Sequence, residues 1–168
     1  IADSQSNSII VLDESFVLKK IVTEFINNGQ TDSFSSPHGL FINNNGDIYV
    51  CDTENARIVV LDENFKLIKI VDNPISEVLS ADFRFRPVKL TVDNAGNMYV
   101  ISRNEYQGMM RFDMNGNFMS FFGSNRVIYD PIELIWQRLM TREQRDRMVQ
   151  FLPIEYTNLH TDHQGFIF

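Results

Sequence analysis

The groups in this 168-residue chain best suited to ligating a metal or moving a proton are three histidines, one cysteine and scattered carboxylates and amides. A divalent cation needs several nitrogen or oxygen ligands converging on one point. The candidates for such a set are His38, Glu155, Asn158 and His160. No two histidines have ligand spacing on one strand, and His160 and His163 flank a turn signal that places them in solvent. There is no glycine-rich phosphate loop, no nucleophile elbow and no Cys/His zinc pattern. Cys51 stands alone, which excludes an intrachain disulfide framework, and in a run of β-formers it reads as a small buried hydrophobe. Asp52, Asn55 and Arg57 fall together at a turn, where they bond one another and the turn backbone. Asp3, Asp13, Asp62 and Asp113 recur at turns for the same reason. No residue here is assigned a catalytic role, and no metal site or cofactor is assigned.

The elements that position these groups are set out most fully between Pro37 and Val71. Gly39 to Asn43, Asp47 to Cys51, Arg57 to Leu61 and Lys66 to Val71 are short apolar runs separated by Asn-, Asp- and Gly-containing turns. That is the pattern of a tight antiparallel meander. Adding fifty carries Gly46-Asp47-Ile48-Tyr49-Val50 onto Gly96-Asn97-Met98-Tyr99-Val100 and Pro37 onto Pro87. Subtracting forty-nine carries Ile58 to Glu63 onto Ile9 to Glu14, and a partial copy returns at Asn158 to Phe168. Four strands repeating about every fifty residues specify a β-propeller blade, so the fold class is all-β, with four-stranded antiparallel blades.

Pro37-His38-Gly39-Leu40, Gly46-Asp47-Ile48-Tyr49-Val50 and Asp52-Thr53-Glu54-Asn55-Ala56-Arg57-Ile58 resemble the NHL repeat. In that family P-x-G, G-x-(I/V)-Y-V and D-x-x-N-x-R-I recur once per blade, commonly in six-bladed rings. The other copies depart from the pattern. Ser6 and Ser8 stand for Asn and Arg, Ser102 for Asp, Val88-Lys89 for His-Gly, and Tyr156-Thr157-Asn158 where Pro-x-Gly belongs. The chain is similar in particular to secreted bacterial NHL proteins with a helical insertion between blades, which implies a secreted or cell-surface location. In the family, the residue after the repeat's proline points into the channel mouth. The resemblance therefore implies a mouth formed by His38, Val88, Lys89 and Thr157. Related propellers that hydrolyse lactones hold calcium or zinc at that place, but Lys89 beside His38 repels a cation.

In chain order the sequence predicts outer strands of a first blade over 1–22, a polar crossover over 23–36 with Phe34 plugging the gap between blades, and a second blade over 37–71. A crossover with one helical turn at Ile75 to Leu79 follows, then a third blade over 88–122. The excess over the repeat lies in 126–152, where Asp130-Pro131 opens a helix. Ile132, Ile135, Trp136 and Leu139 form its apolar stripe, and Thr141 to Gln144 open a second helix. This hairpin either packs on the propeller rim or presents Trp136 to a partner. Residues 156–168 supply inner strands of a fourth blade. Ile1 aligns with Val50 and Phe168 with Tyr49, so the chain is expected to be a piece of a longer propeller.

The net charge of −7 argues against nucleic acid, and no run approaches the length of a membrane span. The reading these features favour is a non-enzymatic module that binds a protein, peptide or glycan. A metal-dependent, gluconolactonase-type hydrolase is one alternative. A structural module closing a ring by dimerisation is the other.

Overall fold

The computed structural model describes residues 1–80, 82–103, 108–123, 158–160 and 162. Among these there are strands and turns and no helix. Strands β1 (Ala2–Asp3), β2 (Ser8–Leu12) and β3 (Leu18–Val22) form one antiparallel sheet. Strands β4 (Glu24–Asn27) and β5 (Gln30–Ser33) pair as a separate hairpin. Strands β6 (Pro37–Ile42), β7 (Ile48–Asp52), β8 (Arg57–Leu61) and β9 (Leu67–Val71) make a complete four-stranded blade. So do β10 (Pro87–Val92), β11 (Met98–Ser102), β12 (Met109–Phe112) and β13 (Phe118–Phe122).

Five of the tight turns are each closed by one side-chain oxygen. Asn43 Oδ1 accepts the backbone N–H of Asn45 and Asp47, both at 2.9 Å. Asp93 does the same for Ala95 and Asn97. Asp13, Asp62 and Asp113 close the outer turns in the same way. This is the Asx chemistry expected of the repeated aspartates. Three residues after each outer aspartate the backbone turns left-handed. Gly116 takes that position at φ 93°, but Phe16 and Phe65 take it at 60° and 64°, where a Cβ costs energy.

Period-two alternation splits each central strand between two cores. Ile48, Val50, Val59 and Leu61 face the first sheet and pack with Ile9, Val22, Phe25 and Phe34. Tyr49, Cys51, Ile58 and Val60 face the third blade and pack with Val100, Met110 and Phe112. The middle strands of the second blade are thus buried on both faces, because that blade is sandwiched between the first sheet and the third blade.

Phe34 fills the gap between blades as expected, buried with its ring 5.2 Å from that of Phe25. The segment around it is not a bare crossover. Asn28 and Gly29 both adopt positive φ, 50° and 81°, which makes a type I′ turn and joins β4 to β5. At Ile75 to Leu79 the predicted helical turn is a single reverse turn closed by Leu79 N–H to Ser76 O. The helical insertion over 126–152 lies outside the described residues, as does most of 156–168.

Candidate functional site

β6 and β10 are the innermost strands of their blades and lie side by side. Both begin with a bulge in their pairing with the next strand, at His38-Gly39 and at Val88. A bulge turns a side chain out of the ladder, and here it turns out the residue after each proline. Gly39 is required by the neighbour. A Cβ there would lie 2.7 Å from Val88 O and 3.0 Å from Lys89 Cα, both backbone atoms.

His38 is half-buried, and both of its ring nitrogens are engaged. Nδ1 lies 2.8 Å from the Ser36 carbonyl and 3.1 Å from Thr53 Oγ1. The buried Thr53 hydroxyl donates to Pro87 O at 2.6 Å, so its oxygen is left to accept from the ring. A carbonyl can only accept, which puts the imidazole proton on Nδ1. Nε2 is then an acceptor, and Arg103 Nη2 donates to it across 3.2 Å. The chain of contacts runs from Arg103 through His38 and Thr53 to Pro87 and joins the two blades.

Lys89 sits on β10 opposite Ile101 and is exposed. Arg103 follows β11, is exposed, and is held by its N–H to Arg86 O at 2.8 Å. Neither cation pairs with a carboxylate among the described residues. Val88 is half-buried and packs against Tyr99, Ile101, Met109 and Leu159 rather than standing free. Thr157 and Trp136 lie outside the described residues, as does Glu155. Of the sequence-level candidates the structure brings together His38, Val88 and Lys89. To these it adds Arg103 and Thr53, which the sequence did not single out.

Cys51 lies beneath this place, fully buried. Burial pushes its thiol well above the ordinary value, against weaker opposing effects from a Gly39 backbone hydrogen bond and the Lys89 charge. It is a packing residue.

The Asp52, Asn55 and Arg57 signature is a structural clasp. The buried Asp52 carboxylate accepts from Ser35 N–H at 2.6 Å, Asn55 Nδ2 at 2.9 Å and Arg57 Nε at 2.8 Å. The two terminal nitrogens of Arg57 grip both oxygens of Asp32 on β5, at 2.8 and 2.9 Å. That bidentate bond holds the Asp32 carboxyl well below its ordinary value despite partial desolvation. The clasp binds the β4–β5 hairpin to the blade.

His160 is exposed and lines a cleft of about 630 Å³ together with Asp162, Phe41, Tyr49, Asn43 and Asp93. It is formed around the β6–β7 and β10–β11 turns, at the opposite end of the inner strands from His38. The candidate metal set is therefore split. His38 and His160 sit at opposite ends of the inner strands, and Asn158 is exposed. Among the described residues no three His, Cys, Asp or Glu side chains cluster as a cation site.

Comparison with known proteins bears on this arrangement. The NHL repeat family profile matches residues 34–61, the stretch containing Phe34, β6, β7 and β8. No curated protein sequence matches the chain. Among solved structures, the chain is similar to the extracellular domain of a hybrid two-component system from B. thetaiotaomicron. That match has 14% identity and a TM-score of 0.56, and covers 96% of this chain and 19% of that one. It is also similar to a virginiamycin B lyase from Staphylococcus aureus solved with quinupristin. Here the identity is 16% and the TM-score 0.50, over 73% of this chain and 36% of that one. The chain thus spans about a third or less of each. At these identities the likeness shows the fold and no more.

Proposed function

We propose that this chain, a segment of an NHL-repeat β-propeller, is a non-enzymatic binding module whose ligand sits at the channel mouth. The contact residues are His38, Val88, Lys89 and Thr157, with Arg103 added by the geometry. Trp136 supplies a second contact surface. The observation that carries this reading is the state of His38. Its Nδ1 is spent on Ser36 and Thr53 and its Nε2 faces a guanidinium, so neither nitrogen is presented as a base or a ligand. Lys89 and Arg103 beside it, which pair with no carboxylate among the described residues, offer recognition rather than chemistry.

The divalent cation that a lactonase-type reaction calls for does not fit these residues. A metal at Nε2 would have to displace Arg103 and then share its surroundings with Lys89, and like charges repel. Function in such folds lives in the residues of the rim and channel rather than in the architecture. The extracellular placement of one structural relative supports a secreted or surface-attached bacterial role. No helix among the described residues is long and apolar enough to cross a membrane.

The test is an amide chemical-shift map of the ¹⁵N-labelled chain titrated separately with peptide and oligosaccharide libraries. Shifts concentrated at His38, Val88, Lys89 and Arg103 are expected with at least one class. Shifts confined to other faces, or none with either class, would overturn the reading.

A further inference from the structure

Part of the described surface carries a concentration of cationic side chains at odds with the acidic chain as a whole. Arg84 and Arg86 precede β10, Lys89 lies on it, and Arg103 follows its partner strand β11. Backbone pairing fixes them in one neighbourhood. Pro87 is opposite Ser102, Lys89 opposite Ile101, and Arg103 N–H bonds Arg86 O. Nearby carboxylates are already committed. Glu54 pairs with Arg86, while Asp52 and Asp32 are held by Arg57. Among the described residues Lys89 and Arg103 have no carboxylate partner, and they flank the His38-Gly39 step from two sides. His38 occupies one Arg103 nitrogen and so orients the guanidinium, leaving other donors of its fork available.

We infer that this mouth takes an acidic peptide, with one or two of its carboxylates seated between Lys89 and Arg103. The inference rests on the binding reading above and narrows its ligand. Two exposed cations match one or two carboxylates, and a guanidinium fork matches carboxylate geometry. They do not match a long phosphate run, which the net charge of −7 would repel. A peptide is favoured over a sugar by the strands themselves. Among the described residues β6 pairs only with β7, and β10 only with β11. Their axial edges therefore carry backbone donors and acceptors beside the cations, which an extended peptide can pair with.

The test uses the whole chain and three fluorescent probes: a short peptide of alternating Asp and Glu, the same peptide with Asn and Gln, and a galacturonic-acid oligomer of equal charge. Saturable binding of the acidic peptide is expected, with about tenfold loss in the Lys89→Gln/Arg103→Gln double variant. Affinity should also fall when salt is raised from about 50 to 200 mM. Lys19→Gln, a change at an exposed cation of β3, should leave binding unchanged. Both mouth side chains are exposed, so thermal melts matching the parent chain will show that the variants fold. Equal binding of the Asn/Gln peptide would overturn the carboxylate assignment, and tighter binding of the uronic acid would overturn the peptide assignment. Either result leaves the mouth as the binding place. Acidic-peptide binding that survives the double variant would overturn the location. Binding of no probe, together with an unshifted mouth in the amide map, would overturn both readings.

Discussion

Arg57→Ala should be the most destabilising change available on the polar face of the second blade. Arg57 makes Nε contact with the fully buried Asp52 and a bidentate bond to Asp32. Removing it strands a carboxylate that has no access to water. Breaking a buried pair from one side costs about 3–5 kcal/mol, and the loss of packing over the Phe25 ring adds to this. Asp52→Asn alone keeps an acceptor for Ser35 N–H and should cost about 1–3 kcal/mol. The discriminating quantity is the double variant. With Asp52 neutralised no fully buried charge is stranded, and the partly exposed Asp32 can turn to solvent, so Arg57→Ala/Asp52→Asn should be less destabilised than the two single changes added together, by at least about 1 kcal/mol. Urea unfolding followed by tryptophan fluorescence and far-UV circular dichroism gives each value. Amide exchange gives the location, since β4 and β5 should lose protection before β7 and β8. A cost under about 1 kcal/mol for Arg57→Ala, or strict additivity, would refute the clasp as described.

Three further outcomes follow from the same geometry. Gly39→Ala should destabilise by about 1–3 kcal/mol, because the new Cβ meets backbone of the adjoining blade, and thermal melting will show it. Phe16→Gly should stabilise by about 1 kcal/mol, since an exposed ring at φ 60° contributes backbone strain and little packing. A melting temperature unchanged or lowered would contradict this. Asp32 is held below its unfolded value of 3.8. Its stabilising contribution is therefore complete above that value and drains away as pH falls through the lower folded value. Asp32→Asn should accordingly flatten the loss of stability on acidification below about pH 4 relative to the parent chain.

Much of this fold is written locally, in turns. The Asn43 to Asp47 and Asp93 to Asn97 stretches announce hairpins because one side-chain oxygen can cap two backbone N–H groups, and the structure uses them so. The fifty-residue spacing then calls for blades, since a four-stranded sheet with two apolar faces requires neighbours. The β4–β5 hairpin was equally legible in Asn28-Gly29, but its strands carry Gln, Thr, Asp and Asn in place of apolar runs. Beyond the buried Phe25, they are held by the distant Arg57, which composition cannot reveal. The candidate site was half legible. His38 and Lys89 follow from the repeat register. Arg103 does not, because it falls at an unspecified position of the signature, directly after Ser102, and meets His38 only across the blade junction. Val88 has the register of a mouth residue, but an apolar side chain at that position turns toward Leu159 and Tyr99.

The most direct test of the central claim, that the mouth recognises a ligand and does not hold a catalytic metal, is the ¹⁵N spectrum of the His38 imidazole with and without calcium or zinc. The account predicts a proton on Nδ1 and an accepting Nε2, with both signals unmoved by a stoichiometric metal ion. A proton on Nε2, or a saturable metal-dependent shift of either nitrogen that depends on His38, would contradict it.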